Sequence, residues 1–264
     1  MGNPVGSFIW YELMTTDAAA AGAFYGAVIG WTFSAPPADA PIQYWHIGRT
    51  DGGSAGGALQ LTGEMQQQGA RPTWLPYLNV TDVDGAVAAI IDDGGRVLMP
   101  KMSIDVGSFA LASDPQGVQF YVMTPIPPAD NPHATSDVFS PTEAQHVRWN
   151  ELASPDLEAA KAFYASHFGF EFNNSMPMGP MGDYCFIDHH GQVLGAIMQQ
   201  PDKSQPAGWL PYIGVPSATA ARDAIEANGG TVLNGPHEVP GGDWVVTARD
   251  PQGAVFGVVG PKGG

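Results

Sequence analysis

Residues 7–14 alternate with period two, which predicts a strand with Phe8, Trp10 and Glu12 on one face and Ile9, Tyr11 and Leu13 on the other. The period then changes to that of a helix. Thr16 or Asp17 caps it, Ala20, Ala23, Phe24 and Ala27 form the apolar stripe, and Gly30 ends it. Three short strands are predicted next: near Phe33, at Tyr44–Gly48 and at Gly56–Leu61, with a Gly52-Gly53 turn between the last two. Residues 63–73 read as a polar connection.

A second unit follows in the same order. Trp74–Thr81 reads as a strand, and Asp82 caps a helix whose stripe is Val83, Ala86, Val87, Ile90 and Ile91. Gly94-Gly95 stops that helix. Arg96–Met99, Phe109–Ala112 and Val118–Met123 read as strands, with an Asp114–Gly117 turn before the last.

The whole pattern then recurs. Trp149-Asn150-Glu151-Leu152 stands 139 residues after Trp10-Tyr11-Glu12-Leu13 (149 − 10), and Asp156, Phe163-Tyr164 and Gly169 keep that interval from Asp17, Phe24-Tyr25 and Gly30. Trp74–Tyr77 returns as Trp209–Tyr212, and Asp114–Gly117 as Asp250–Gly253. So many identities in one frame indicate internal duplication. In the second copy Ser154 is expected to cap the first helix with Pro155 as its first residue. The next helix should run from near Ser217 to Asn228-Gly229-Gly230. Pro125, Pro127, Pro128, Pro132 and Pro141 mark a linker. The division expected is 1–127, a linker at 128–145, and 146–264, with Lys262–Gly264 as a frayed tail.

A length of 264 residues suits two such domains. The formal charge of −16 argues against nucleic acid and anionic membranes, which select Lys and Arg clusters. Cys185 is the one cysteine and sits in the apolar run Tyr184-Cys185-Phe186-Ile187, so a buried strand cysteine is expected. No apolar run reaches membrane-spanning length and no secretory signal is evident, so a cytoplasmic location is expected.

The βαβββ unit, with Asp17, Phe24-Tyr25, Gly30-Trp31 and the Asp114-Pro115-Gln116-Gly117 turn, resembles the vicinal oxygen chelate superfamily of glyoxalases, extradiol dioxygenases and bleomycin-resistance proteins. The two-domain pattern is similar to tandem glyoxalase-like proteins of the mycobacterial antigen type. The resemblance implies an α+β fold in which paired units curl an eight-stranded sheet into a cup. It also implies a divalent metal held by His and Glu on the first and last strands. At the matching positions this chain has Trp10, Trp149, Tyr121 and Gly257. Gly52–Thr62, Trp74–Thr81, Gly117–Thr124, Gly191–Gln200, Trp209–Ser217 and Gly253–Gly260 contain no His, Asp, Glu or Cys. A catalytic metal needs about three protein ligands, so no metal cofactor is expected unless nonstandard ligands supply it.

Glu12 and Glu151 share the faces of Trp10 and Trp149, which makes them candidates for general bases or for braces of the strand. Tyr77, Asn79 and Tyr121 are expected to line the first cup and Tyr212 the second. His46 and His237 are the histidines best placed to contact a ligand. Gly214 and Gly257 replace Asn79 and Tyr121 in the second copy, which predicts unequal cups. The reading is a monomer or homodimer that binds a small, aromatic organic molecule. The alternatives are a metal-dependent lyase or dioxygenase with displaced ligands, and a non-catalytic interaction or regulatory protein.

Overall fold

The computed structural model describes residues 2–202 and 207–263. Gly264, at the end of the expected tail, lies outside the described residues. Each copy of the repeat forms one open, mixed, eight-stranded sheet. The first contains β1 (Phe8–Thr15), β2 (Thr32–Ser34), β3 (Tyr44–Gly48), β4 (Ser54–Gln60), β5 (Thr73–Asn79), β6 (Arg96–Ile104), β7 (Gly107–Ser113) and β8 (Gln119–Pro125). Their order is β2-β3-β4-β1-β5-β8-β7-β6. The second contains β9 (Val147–Ser154), β10 (Ser175–Pro177), β11 (Asp183–His189), β12 (Gln192–Gln199), β13 (Gly208–Gly214), β14 (Thr231–Glu238), β15 (Trp244–Arg249) and β16 (Val255–Gly260). It repeats the order as β10-β11-β12-β9-β13-β16-β15-β14.

The helices are α1 (Ala18–Ile29), α2 (Gly63–Gln67), α3 (Val83–Asp92), α4 (Leu157–Phe168) and α5 (Ala218–Ala227). Asp17 caps α1 by accepting from the Ala20 amide, and Gly30 closes it in the left-handed region at φ 86°. Asp82 and Ser217 cap α3 and α5 as expected. Asp156, not Ser154, caps α4, because its carboxylate reaches the Ala159 amide while Ser154 bonds Asp156 instead. The short α2 occupies part of the connection read as irregular, and Thr62 caps it.

The buried face of α1 differs from the expected stripe. Ala18, Ala21, Phe24, Tyr25, Val28 and Ile29 are buried, whereas Ala23 and Ala27 are exposed. A helix rich in Ala and Gly has little hydrophobic contrast, so its few large side chains choose the face. On α3, Val83 and Ile90 are buried while Ile91 points outward. Lys262 is not frayed: its ammonium lies 4.3 Å from the centre of the Trp244 ring, and its carbonyl accepts from the Thr219 amide at 3.0 Å.

The chain divides into two compact units that do not follow the repeat boundaries. One comprises 1–9, 75–136 and 149–209; the other comprises 10–74, 137–148 and 210–264. Within the second unit Tyr25 donates to Asp250 at 3.0 Å and accepts from Trp74 Nε1 at 2.9 Å. Within the first, Tyr164 donates to Asp114 at 3.3 Å and accepts from Trp209 Nε1 at 3.2 Å. Both tyrosines and both aspartates are buried. The other carboxylate oxygen of each Asp accepts backbone amides of its own turn, which satisfies a charge that burial would otherwise penalise heavily.

Candidate functional site

In the second unit the side chains of β1, β3 and β4 build one cluster. β4 runs parallel to β1 with Gly57 opposite Glu12, and β3 runs antiparallel to β4 with His46 opposite Gly57. Glu12, Gly57 and His46 thus form a row across three strands. Tyr44 lies two residues from His46 and shares its face. A Cβ at position 57 would meet the Tyr44 ring and hydroxyl, so the glycine leaves room for the ring to lie across the strand as it does here. Trp10 Nε1 donates to the Tyr44 hydroxyl at 2.7 Å. That hydroxyl donates to the Glu12 carboxylate, which is 3% exposed. Burial, reinforced by the Glu12 charge, holds the Tyr44 pKa well above the usual phenol value, so the phenol stays a donor.

His46 stands at the exposed end of this row. Its Nε2 is 2.9 Å from Ser54 Oγ, and its ring centre is 6.0 Å from that of Trp10. The hairpin carrying Ser54 is clamped by Arg49, which is 6% exposed. The guanidinium bonds Asp51 at 3.2 Å, Asp137 at 2.5 Å and the Ser54 carbonyl. A buried guanidinium with two carboxylates gives this turn a fixed geometry.

The first unit holds a copy. Trp149 Nε1 donates to the Tyr184 hydroxyl at 2.8 Å, which donates to Glu151 Oε2 at 2.7 Å. Trp149 and Tyr184 stack with 6° between their planes, and Phe186 meets both edge-on at 6.0 Å. Glu151, Ala196 and Phe186 form the corresponding row. Along β11, Tyr184 and Phe186 are half-buried while Cys185 and Ile187 are buried, so the aromatic face is the open one and Cys185 belongs to the core.

Tyr44 and Tyr184 were not among the residues singled out from sequence. They stand 140 residues apart (184 − 44), one position out of the frame set by the tryptophans. A search of each third strand for a shared hydroxyl would have found them.

Tyr77 and Tyr121 are register partners in the first unit and stack at 4.1 Å, with Phe109 about them at 5.9 and 6.0 Å. Asn79 donates its side-chain amide to the carbonyls of Asn3 and Pro4 at 2.8 and 3.0 Å. In the second unit Tyr212 pairs with Gly257, where a Cβ would collide with its ring. His237 is exposed on β14, opposite Val245. His167 ends α4 and pairs with Asp93 at 2.9 Å. A cavity of about 270 Å³ lies between α3 and α4, lined by Val80, Ala86, Ile90, His167 and Phe168 among others, away from the Trp149 cluster.

Among the described residues no three His, Cys, Asp or Glu side chains gather to hold a metal ion. In the cluster itself the Glu12 carboxylate faces a phenol and a glycine backbone, and the strand positions implied by the superfamily carry indole, phenol and hydrogen. These residues do not fit a divalent ion.

Residues 10–123 match the model of a glyoxalase-like domain, and residues 144–258 match that of the glyoxalase/bleomycin resistance protein/dioxygenase superfamily. The chain belongs to the glyoxalase superfamily. This glyoxalase-superfamily chain is 29% identical over 253 residues to CFP32 of Mycobacterium tuberculosis, named as a candidate glyoxylase, covering 96% of this chain and 94% of that protein. It is 26% identical over 269 residues to the anthracycline biosynthesis protein DauV of Streptomyces sp. strain C5, covering 96% and 93%. Its fold is similar to the Mn(II)-bound glyoxalase of Novosphingobium aromaticivorans (TM-score 0.63, 16% identity, 97% of this chain and 82% of that one). It is also similar to the 2,3-dioxygenase LapB of Pseudomonas sp. KL28 (TM-score 0.60, 14% identity, 97% and 91%). No helix among the described residues is long and apolar enough to cross a membrane.

Proposed function

We propose that this glyoxalase-superfamily protein binds a small, flat aromatic molecule against its Trp–Tyr–Glu faces, without the metal-ligand set of the superfamily. The observation that carries the reading is the Trp–Tyr–Glu chain of hydrogen bonds, built once in each unit. Each chain fixes two aromatic rings on a half-open sheet face. Rings held before a ligand arrives lose little rotamer freedom on binding, which favours affinity. Aromatic walls with a few placed polar groups suit a flat organic ligand. The similarity to a protein named for anthracycline biosynthesis supports the same class, since anthracyclines are flat fused-ring molecules.

In this reading Glu12 and Glu151 hold the phenols in place. Titration with a panel of planar aromatics, followed by tryptophan fluorescence and calorimetry, tests it. Saturable binding is expected. Glu12→Gln, which keeps an acceptor for Tyr44, should bind nearly as well as the parent. Glu12→Ala removes the acceptor and should lower affinity at that site roughly three- to tenfold. Absence of saturable binding, or binding unaffected by Trp10→Ala with Trp149→Ala, would overturn the reading.

A further inference from the structure

The two Trp–Tyr–Glu clusters differ at the centre of the row, where Ala196 stands for Gly57, and at two positions on the open face. His46 is replaced by Phe186 in the copy, at the 140-residue interval of the tyrosines (186 − 46). Ser54 is replaced by Val193, at the 139-residue interval of the tryptophans (193 − 54). A hydrogen-bonded imidazole–hydroxyl pair in one cluster is therefore a benzyl–isopropyl pair in the other. We propose that the cluster of β1 and β3 selects flat aromatic molecules bearing a hydroxyl group at the ring edge, whereas the cluster of β9 and β11 takes flat apolar ones.

This selectivity rests on the aromatic-binding reading above and adds the ligand chemistry of each site. A ring seated against Trp10 has its edge beside His46, whose ring centre is 6.0 Å from that of Trp10. Ser54 engages His46 Nε2, and among the described residues no group bonds Nδ1. A serine hydroxyl both donates and accepts. When Ser54 donates to Nε2, Nδ1 carries the proton and donates outward; when Nε2 donates to Ser54, Nδ1 accepts. The exposed nitrogen can thus match either role of a ligand hydroxyl. The Arg49 clamp on the Ser54 carbonyl keeps this pair in place. In the copy, Phe186 meets Trp149 and Tyr184 edge-on and offers no hydrogen bond. A ligand hydroxyl placed there loses water without compensation.

The test uses the full chain and two probes of the same shape, 2-naphthol and 2-methylnaphthalene. Trp149→Ala isolates the first cluster, and Trp10→Ala isolates the second. With Trp149→Ala, 2-naphthol is expected to bind about three- to tenfold more tightly than 2-methylnaphthalene, the worth of one net hydrogen bond. His46→Phe with Ser54→Val in that background should abolish the preference while 2-methylnaphthalene still binds. With Trp10→Ala the preference should be absent or reversed. The exchange Phe186→His with Val193→Ser in that background should create it. Equal preference at both clusters, or a preference that survives His46→Phe with Ser54→Val, overturns the selectivity but leaves aromatic binding standing. Failure of both probes to bind the parent chain overturns both.

Discussion

The Tyr25 hydroxyl donates to Asp250 across 225 positions of sequence, and Tyr164 does the same to Asp114 across 50. The tyrosine on the first helix of one repeat is thus held by the Asp-Pro-Gln-Gly turn of the other, in both compact units. Each hydroxyl also accepts a tryptophan N–H. Removing it strands two buried groups, a carboxylate oxygen and an indole N–H.

Tyr25→Phe should therefore cost stability well beyond the loss of one ordinary hydrogen bond. A buried charged group and a buried neutral donor left unpaired together cost roughly 2–5 kcal/mol. Tyr164→Phe should behave alike, since its surroundings repeat. Chemical denaturation of the two variants checks this, and a loss under about 0.5 kcal/mol in both would contradict it.

The same carboxylates set a pH dependence. Burial, partly offset by backbone amide bonds, raises Asp114 and Asp250 above the ordinary Asp value of 3.8. A folded-state pKa raised in this way means that the native state holds the proton more tightly than the unfolded one. Its contribution to stability is full below about pH 3.8 and is lost as pH rises through the raised value. Exposed carboxylates such as Asp51, whose pKa is lowered chiefly by the Gly53 amide, act in the opposite sense, so a comparison is needed. In Asp114→Asn with Asp250→Asn the amide oxygen still accepts the turn amides. The stability of that variant relative to the parent should rise between pH 4 and pH 7. Melting temperatures measured in parallel decide it, and a relative fall over that range would refute the assignment.

Cutting the chain between residues 127 and 128 separates Tyr25 from Asp250 and Asp114 from Tyr164. Both compact units draw on residues from each side of the cut. Fragments 1–127 and 128–264 expressed alone should lack a cooperative thermal transition, and their co-expression should restore one. A sharp transition in either isolated fragment would show that the repeat is itself the folding unit.

Much of the element plan was legible in the chain. Period-two runs, Asp17 and Asp82 as caps, and Gly30 as a helix stop are local signals, because caps and turns are decided by a few neighbouring atoms. The duplication gave the repeated element order, and the absence of His, Asp and Glu from β4, β5, β8, β12, β13 and β16 was plain by inspection. The face of α1 was not legible, because an Ala-rich helix takes its orientation from what packs on it. Nor was the Trp10–Tyr44–Glu12 chain. The β1–β4 and β3–β4 registers bring Tyr44 over Gly57, and registers depend on pairing between strands distant in sequence. Local sequence determined the repeated elements and their order. Tertiary structure decided which repeat supplies the partner of each buried tyrosine, because a long-range hydrogen bond leaves no periodic trace in the residues that make it.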